Sequence, residues 1–247
     1  MLRSIRTARA TLRSLRIYYG DRKRAAAMDR LYGNFVRSGD LVFDVGAHVG
    51  DRVASFRRLG ARVVAVEPQR AMVRALRLLY GRDRSVTIEA VAVGGQPGRA
   101  RMLINSDNPT VSSVSSAFVE AAHEAPGWET QRWGDFADVE ITTLDALMAR
   151  HGVPAFIKID VEGFEAEALS GLSLAVRALS FEFTTIQPDV ALACIKRCTT
   201  MGYERFNAAV GESQALVGEW VGAKEIAQWL SALPQAANSG DIYAVVR

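Results

Sequence analysis

Leu41-Val42-Phe43-Asp44-Val45-Gly46-Ala47-His48-Val49-Gly50-Asp51 is the stretch whose reading decides the fold. Its apolar start reads as a buried parallel strand, and Asp44, Gly46 and Gly50 as the tight turn after it. Val49 then opens a helical pattern whose first turn faces that turn. Glycine at 46 lets the backbone pass where a Cβ would meet a ligand, and glycine at 50 lets the helix pack close to the strand. Twenty-three residues beyond Asp44, after a second apolar strand (residues 62–66), come Glu67 and Pro68. An acidic residue about 20 positions past a glycine turn is a recurrent grip on two ribose hydroxyls. A nucleoside is therefore expected across the carboxyl ends of these two strands, with Pro68 in the first turn of the next helix.

A dinucleotide site wants Gly-x-Gly-x-x-Gly, so that helix-start amides and glycine backbone embrace a pyrophosphate. Here His48 stands at the middle glycine, and Asp44 would repel a phosphate. A cofactor with an amino-acid tail suits both departures, because Asp44 can face its ammonium group directly or through water. S-adenosylmethionine has such a tail, with Asp44, Gly46, His48, Gly50, Glu67 and Pro68 as expected contacts. A nucleotide-dependent oxidoreductase is the rival enzyme, disfavoured by His48. A strand-turn-helix without a ligand is the plain alternative.

At 247 residues and 49% apolar content the chain can bury one α/β core. No apolar run approaches the ~18 residues of a membrane span, and no secretory segment follows Met1. Cys194 and Cys198 share a helix face and are expected as ordinary thiols. A cytoplasmic location is expected. The net charge of +3 is unevenly spread: residues 1–40 hold ten basic against three acidic residues, +7, which leaves −4 for the rest. No nucleic-acid partner is expected.

The N-terminal segment places Arg3, Arg6, Arg9, Arg13 and Arg16 at helical spacing, with Leu2, Ile5, Leu12 and Leu15 on a neighbouring stripe. The preferred reading is a solvated arginine face on a helix packed against the domain or a sister chain. The other is contact with an anionic membrane surface or acidic polymer. A mitochondrial transit peptide would begin in the same way. Residues 1–40 are expected as a basic helical extension and residues 41–247 as the catalytic domain.

Further along, helices are expected at 53–59 and 71–80 and a third strand at 86–93. Gly94-Gly95-Gln96-Pro97-Gly98 reads as a hairpin returning into a strand at 100–104. Strand–helix–strand order of this kind builds a doubly wound sheet. Regularity fails over residues 105–138, which are dense in hydroxyls and then carry Trp128 and Trp133; a lid and a surface excursion are equal readings. A short strand at 139–142 leads through Thr142 or Thr143, a helix cap, into a helix at 144–150.

Phe156-Ile157-Lys158-Ile159-Asp160-Val161-Glu162-Gly163 is the second informative stretch. If the strand runs on, Lys158, Asp160 and Glu162 point one way and the aliphatics the other. A central parallel strand is normally apolar on both faces, so this polar row needs pairing or a ligand. Ser180-Phe181-Glu182-Phe183-Thr184 repeats the pattern, with Glu182 among aromatics. A structural ion pair on Lys158 is the competing reading.

Together, FDVGAHVGD, AVEPQ, NPTVSSVSSAF, ITTLDAL, FIKIDVEGFEAEALSGL and DIYAVVR resemble the FkbM-type methyltransferases, a branch of the class I S-adenosylmethionine-dependent enzymes. The resemblance covers residues 41–247 and implies a Rossmann-like, doubly wound, seven-stranded α/β sheet with the last strand antiparallel. It implies methyl transfer usually to a hydroxyl oxygen, of a sugar, natural product, lipid or peptide. By motif it carries Asp44, Gly46, Gly50 and Glu67 over as cofactor contacts, and Asp160 with Glu162 as the face near the transferred methyl. His48 stands where the family often has asparagine.

Asp160 is the first choice for a base and Glu162 the second, with Lys158 and Glu182 completing the catalytic set. A Mg²⁺ ion among Asp160, Glu162 and Glu182 is chemically conceivable, but no metal is assigned. Small-molecule or glycan acceptors, peripheral membrane contact and a homo-oligomer are the expected partnerships. A non-catalytic nucleoside-binding module docked through the basic helix is the alternative of another class.

Overall fold

The computed structural model describes residues 2–246, and for residues 2–5, 7 and 8 the backbone alone. The side chains of Leu2, Arg3 and Ile5, named above in the N-terminal stripes, lie outside the described residues. Helices α1 (Leu2–Gly20) and α2 (Arg22–Tyr32) precede β1 (Leu41–Val45), α3 (Asp51–Arg58), β2 (Arg62–Val66), α4 (Arg70–Tyr80) and β3 (Val86–Glu89). Then come β4 (Ala92–Val93), β5 (Gly98–Ile104), α5 (Ser116–Glu124), β6 (Asp135–Thr142), α6 (Leu144–His151), β7 (Phe156–Ile159) and α7 (Glu165–Ser170). The chain continues through β8 (Ala178–Thr184), α8 (Pro188–Thr200), β9 (Arg205–Val210), α9 (Ala223–Ser231) and β10 (Ser239–Val245).

The main sheet has seven strands in the order β3-β2-β1-β7-β8-β10-β9, with β10 antiparallel to both its neighbours. This is the expected seven-stranded α/β sheet. All five residues of β1 are buried because β2 and β7 flank it in parallel and helices cover both faces. The strand order reverses at β1, since the chain runs outward to β3 and returns to β7. Ligands of open α/β sheets bind at that switch point, beyond the carboxyl ends of the strands.

Side-chain alternation divides the core. Phe43, Val45, Ile157, Ile159, Leu179 and Phe181 belong to one apolar cluster, with Leu144 and Leu169 of the helices over that face. Val42, Val63, Phe156, Ala178 and Tyr243 join the other, with Phe56 of α3 and Met28, Leu31 and Tyr32 of α2. The latter three tie α2 into the core of residues 41–247, across the boundary drawn at residue 40. Cys194 and Cys198 are both buried free thiols, as expected.

Four expectations are corrected. The segment 86–93 is not one strand: β3 ends at Glu89, and β4 joins a second sheet ordered β4-β6-β5. The expected hairpin is not formed either, because β6 lies between β4 and β5. A Cβ on Gly95 would sit 2.3 Å from the Ser170 hydroxyl, so the glycines serve a close passage beside α7. Third, β7 stops at Ile159, and Glu162 has a left-handed backbone (φ 56°) in the turn beyond it. Fourth, Pro68 precedes α4 rather than opening its first turn.

Residues 105–138 hold more structure than their sequence suggests. Ser115 caps α5 by accepting the Phe118 N–H, and Phe118, Val119 and Ala122 are buried. Trp133 donates its indole N–H to the Val111 carbonyl. The helix α9 was not singled out by the sequence. Among the described residues, no helix is long and apolar enough to cross a membrane.

Candidate active site

The turn after β1 is held by backbone. Gly46 and Ala47 donate N–H bonds of 2.9 and 3.0 Å to the Val66 carbonyl, which ties the turn to the end of β2. Gly46 has φ 85°, and a Cβ there would lie 1.7 Å from the Asp160 carbonyl oxygen. Its glycine therefore serves the approach of the chain leaving β7. Gly50, φ 84°, is the N-cap of α3. A Cβ on it would come within 2.7 Å of Leu76 and Tyr80, so the close packing is against α4 rather than the strand.

His48 takes the left-handed backbone that the middle glycine would have supplied, at φ 47°. Histidine tolerates that region better than branched residues do. Its N–H donates to one oxygen of Glu67 at 2.9 Å, and the Gln69 N–H donates to the other at 2.7 Å. A carboxylate has about four acceptor positions, so two remain for ribose hydroxyls. Burial pushes Glu67 up to about 7 against the pull of those two N–H groups.

A cavity of about 720 Å³, counting the space at its mouth, opens at the switch point. Gly46 and His48 line it beside Glu67, Pro68 and Gln69; Arg52, Asp160, Val161 and Glu162 form another wall. Thr110, Ser112 and Val114 from the irregular span, and Tyr18 from α1, complete the enclosure. Asp44 does not line the cavity, although its neighbours Val45 and Gly46 do. Asp44 is fully buried, and neither carboxylate oxygen has a partner. Burial lifts its pKa to about 7, and burial pushes His48 down to about 4.

Beyond the turn lies a polar layer inside the sheet. Lys158 is fully buried, and its ammonium sits 2.5 Å from Asp241 and 3.3 Å from Asp160. Burial alone would lower its pKa, but Asp160 and Asp241 raise it. Arg52 of α3 makes a second 3.3 Å ion pair with Asp160. Despite burial, Lys158 and Arg52 hold Asp160 below the usual carboxylate range.

Glu162 and Glu182 behave oppositely to Asp160. Glu162 is 8% exposed and makes no ion pair among the described residues. Burial first, then the charges of Asp160 and Glu165, push it well above the ordinary range. Glu182 is raised in the same way by burial, Asp160 and Glu162. Asp160, Glu162 and Glu182 each offer an oxygen within 4.8 Å of the others. The structure thus gathers all four expected catalytic residues.

Asp241 and Arg52 were missed by the sequence reading. The signals were present, since Asp241 opens the DIYAVVR motif and Arg52 follows the glycine turn directly. Nothing local, however, pairs either one with Lys158 or Asp160.

Sheet order, glycine turn and acidic grip define a doubly wound domain built around a nucleoside-bearing cofactor. The family model for the methyltransferase FkbM domain matches residues 44–236, and the chain belongs to that family. It is a methyltransferase, and its cofactor is S-adenosylmethionine. The chain is similar to the precorrin-6y C5,15-methyltransferase of Geobacter metallireducens at 13% identity, covering 91% of this chain and 87% of that one, TM-score 0.43. It is also similar to the magnesium protoporphyrin IX methyltransferase of Synechocystis PCC 6803, at 12% identity over 96% and 84%, TM-score 0.45. A TehB-like methyltransferase of Corynebacterium glutamicum gives 10% identity over 90% and 88%, TM-score 0.45. No curated protein matches the chain.

The cavity fits this cofactor on two local observations. Glu67 keeps unused acceptor positions toward the cavity, and Asp44 is a buried carboxylate without a partner beside the turn. An uncompensated buried charge is unfavourable, and a nearby ammonium relieves it.

Proposed function

We propose that this methyltransferase acts on a hydroxyl oxygen of a small-molecule or glycan acceptor in the cytoplasm, with Glu162 as the base. Bound S-adenosylmethionine supplies an electrophilic methyl carbon. An alcohol is a poor nucleophile while protonated, so a base must take its proton as the bond to carbon forms. One observation carries the reading: the cavity wall holds two carboxylates of opposite character. Asp160 is fixed between Lys158 and Arg52, stays ionised and is a weak base. Glu162 has no such partner, and its raised pKa makes its ionised form the stronger base of the two, available once pH exceeds that pKa.

Asp160 then serves as the post that holds Lys158 and Arg52 in place beside the cavity. Asp44, behind the cavity wall at the turn, favours the ammonium end of the cofactor through its charge, and Glu67 accepts from its ribose. The apolar wall of Val91, Val93, Met102 and Phe164 excludes water from the reacting groups. The non-catalytic alternative is not favoured, because a buried, unpaired carboxylate in the wall is unneeded for binding alone.

The test is to incubate the protein with labelled S-adenosylmethionine and fractions of an extract of its source cells. Label should enter an alkali-stable ether on an acceptor hydroxyl. Glu162→Gln should lower turnover by roughly 10²–10⁴ while cofactor affinity stays within a few-fold. Transfer to nitrogen or carbon would overturn the acceptor assignment, and full turnover in folded Glu162→Gln the base.

A further inference from the structure

α1 departs from a solvated surface helix by leaving large aliphatic side chains on its outward face. Such a helix turns its large apolar residues inward and its charges outward. Here the inward face carries Ala10 and Ser14, each 5% exposed, with Leu15 and Tyr18 partly covered against Val49, Met72 and Ala75. Tyr19 anchors the same side, with its hydroxyl 2.7 Å from the Gly50 carbonyl and 2.6 Å from the Tyr80 hydroxyl. Leu12, on the apolar stripe beside the arginines, is 66% exposed, and Ile17 is 55% exposed.

These aliphatics stand among exposed arginines at 6, 9, 13 and 16. Among the described residues the acidic partner of the group is Asp107, whose carboxylate is 4.0 Å from Arg6 and whose carbonyl accepts from Arg13 at 3.0 Å. α4, against which α1 packs, adds Leu78 at 84% exposure and the exposed Arg74 and Arg77.

We infer that this outward face docks on an anionic lipid bilayer. Leucine and isoleucine set between arginines match an interface that offers negative headgroups and acyl chains at one depth. A nucleic acid or acidic polymer would satisfy the arginines and leave Leu12, Ile17 and Leu78 in water. Tyr18, on the inner side of this same helix, lines the cofactor cavity. Docking therefore fixes the catalytic cavity at the membrane surface, where an amphiphilic acceptor would be presented.

The experiment is co-sedimentation of the full chain with phosphatidylcholine vesicles, with and without about a third of phosphatidylglycerol, at low and high salt. Binding to the anionic vesicles should exceed binding to the neutral ones by at least about 10-fold and fall as salt rises. The L12E/I17E and R9E/R13E variants should each lose that binding by a similar factor. Both should still bind S-adenosylmethionine by calorimetry, which shows that they fold. Equal binding to both vesicle types, or no binding by the wild type, overturns the inference. So does undiminished binding by either variant, or retention on heparin without any on vesicles.

Discussion

Lys158 of β7 reaches over β8 to Asp241 of β10, with 2.5 Å between the ammonium nitrogen and a carboxylate oxygen. Ser180 is the residue of β8 paired with Lys158, and its short side chain leaves room for the reach. The pair binds the parallel half of the sheet to its antiparallel strand, below the cavity. Replacing Lys158 by Met leaves the largely covered Asp160 and Asp241 without that cation. Denaturant unfolding should show a loss of roughly 3–5 kcal/mol, the usual result of stranding a buried charge. The Lys158→Met, Asp241→Asn double variant should recover part of it, because the stranded carboxylate is then neutral.

Asp44 should make the free protein pH-sensitive. Its pKa is raised to about 7 by burial, from an ordinary value of 3.8. The fold therefore favours the protonated form. That contribution is fully present below the ordinary value and is lost as pH rises through about 7. Asp44→Asn keeps a neutral group, so above neutrality it should be more stable than the wild type, by up to roughly 4 kcal/mol. The difference should shrink toward pH ~4. Melting curves across that range check it, and calorimetry should show weaker cofactor binding by the same variant.

Glu67→Ala removes the acceptor that His48 and Gln69 orient toward the cavity. Affinity for S-adenosylmethionine should fall by about 2–4 kcal/mol, at ~1–2 for each charged hydrogen bond to a ribose hydroxyl. Unchanged affinity in calorimetry would remove Glu67 from the site.

Asp160→Asn and Glu162→Gln should separate the two carboxylates. If Glu162 is the base, Glu162→Gln falls to near-background turnover, while Asp160→Asn chiefly loses stability through Lys158 and Arg52. The wild-type rate should decline as pH drops through the raised pKa of Glu162, above the ordinary carboxylate range. A chelator added to the wild type tests the cation reading of Asp160, Glu162 and Glu182: abolished activity that Mg²⁺ restores would replace the base assignment with a metal.

Gly46→Ala should not fold to the native state. Its Cβ would sit 1.7 Å from the Asp160 carbonyl, and backbone cannot yield that distance without parting the ends of β1 and β7. Circular dichroism and thermal melting of the purified variant check this.

The sequence alone determined what local pattern can carry. Glycine spacing and the acid at 67 identified the cofactor class, and period-two alternation exposed Lys158 and Glu182 as polar intruders in buried strands. Those signals need only the residues within a turn or a strand, because side-chain direction follows from backbone period. The tertiary structure decided the partners. Asp241 meets Lys158 only because β8 alone separates β7 from β10, and Arg52 reaches Asp160 from a helix more than a hundred residues earlier. The roles of Gly46 and Gly50 also depended on what approached them: the Asp160 carbonyl and the side chains of α4, neither of which is a sequence neighbour. β6 separated β4 from β5 despite a strong hairpin signal, since pairing is settled by which strand can bury its edge, not by the nearest turn. Strand order and close approach are properties of the whole packed chain, and no local period encodes them.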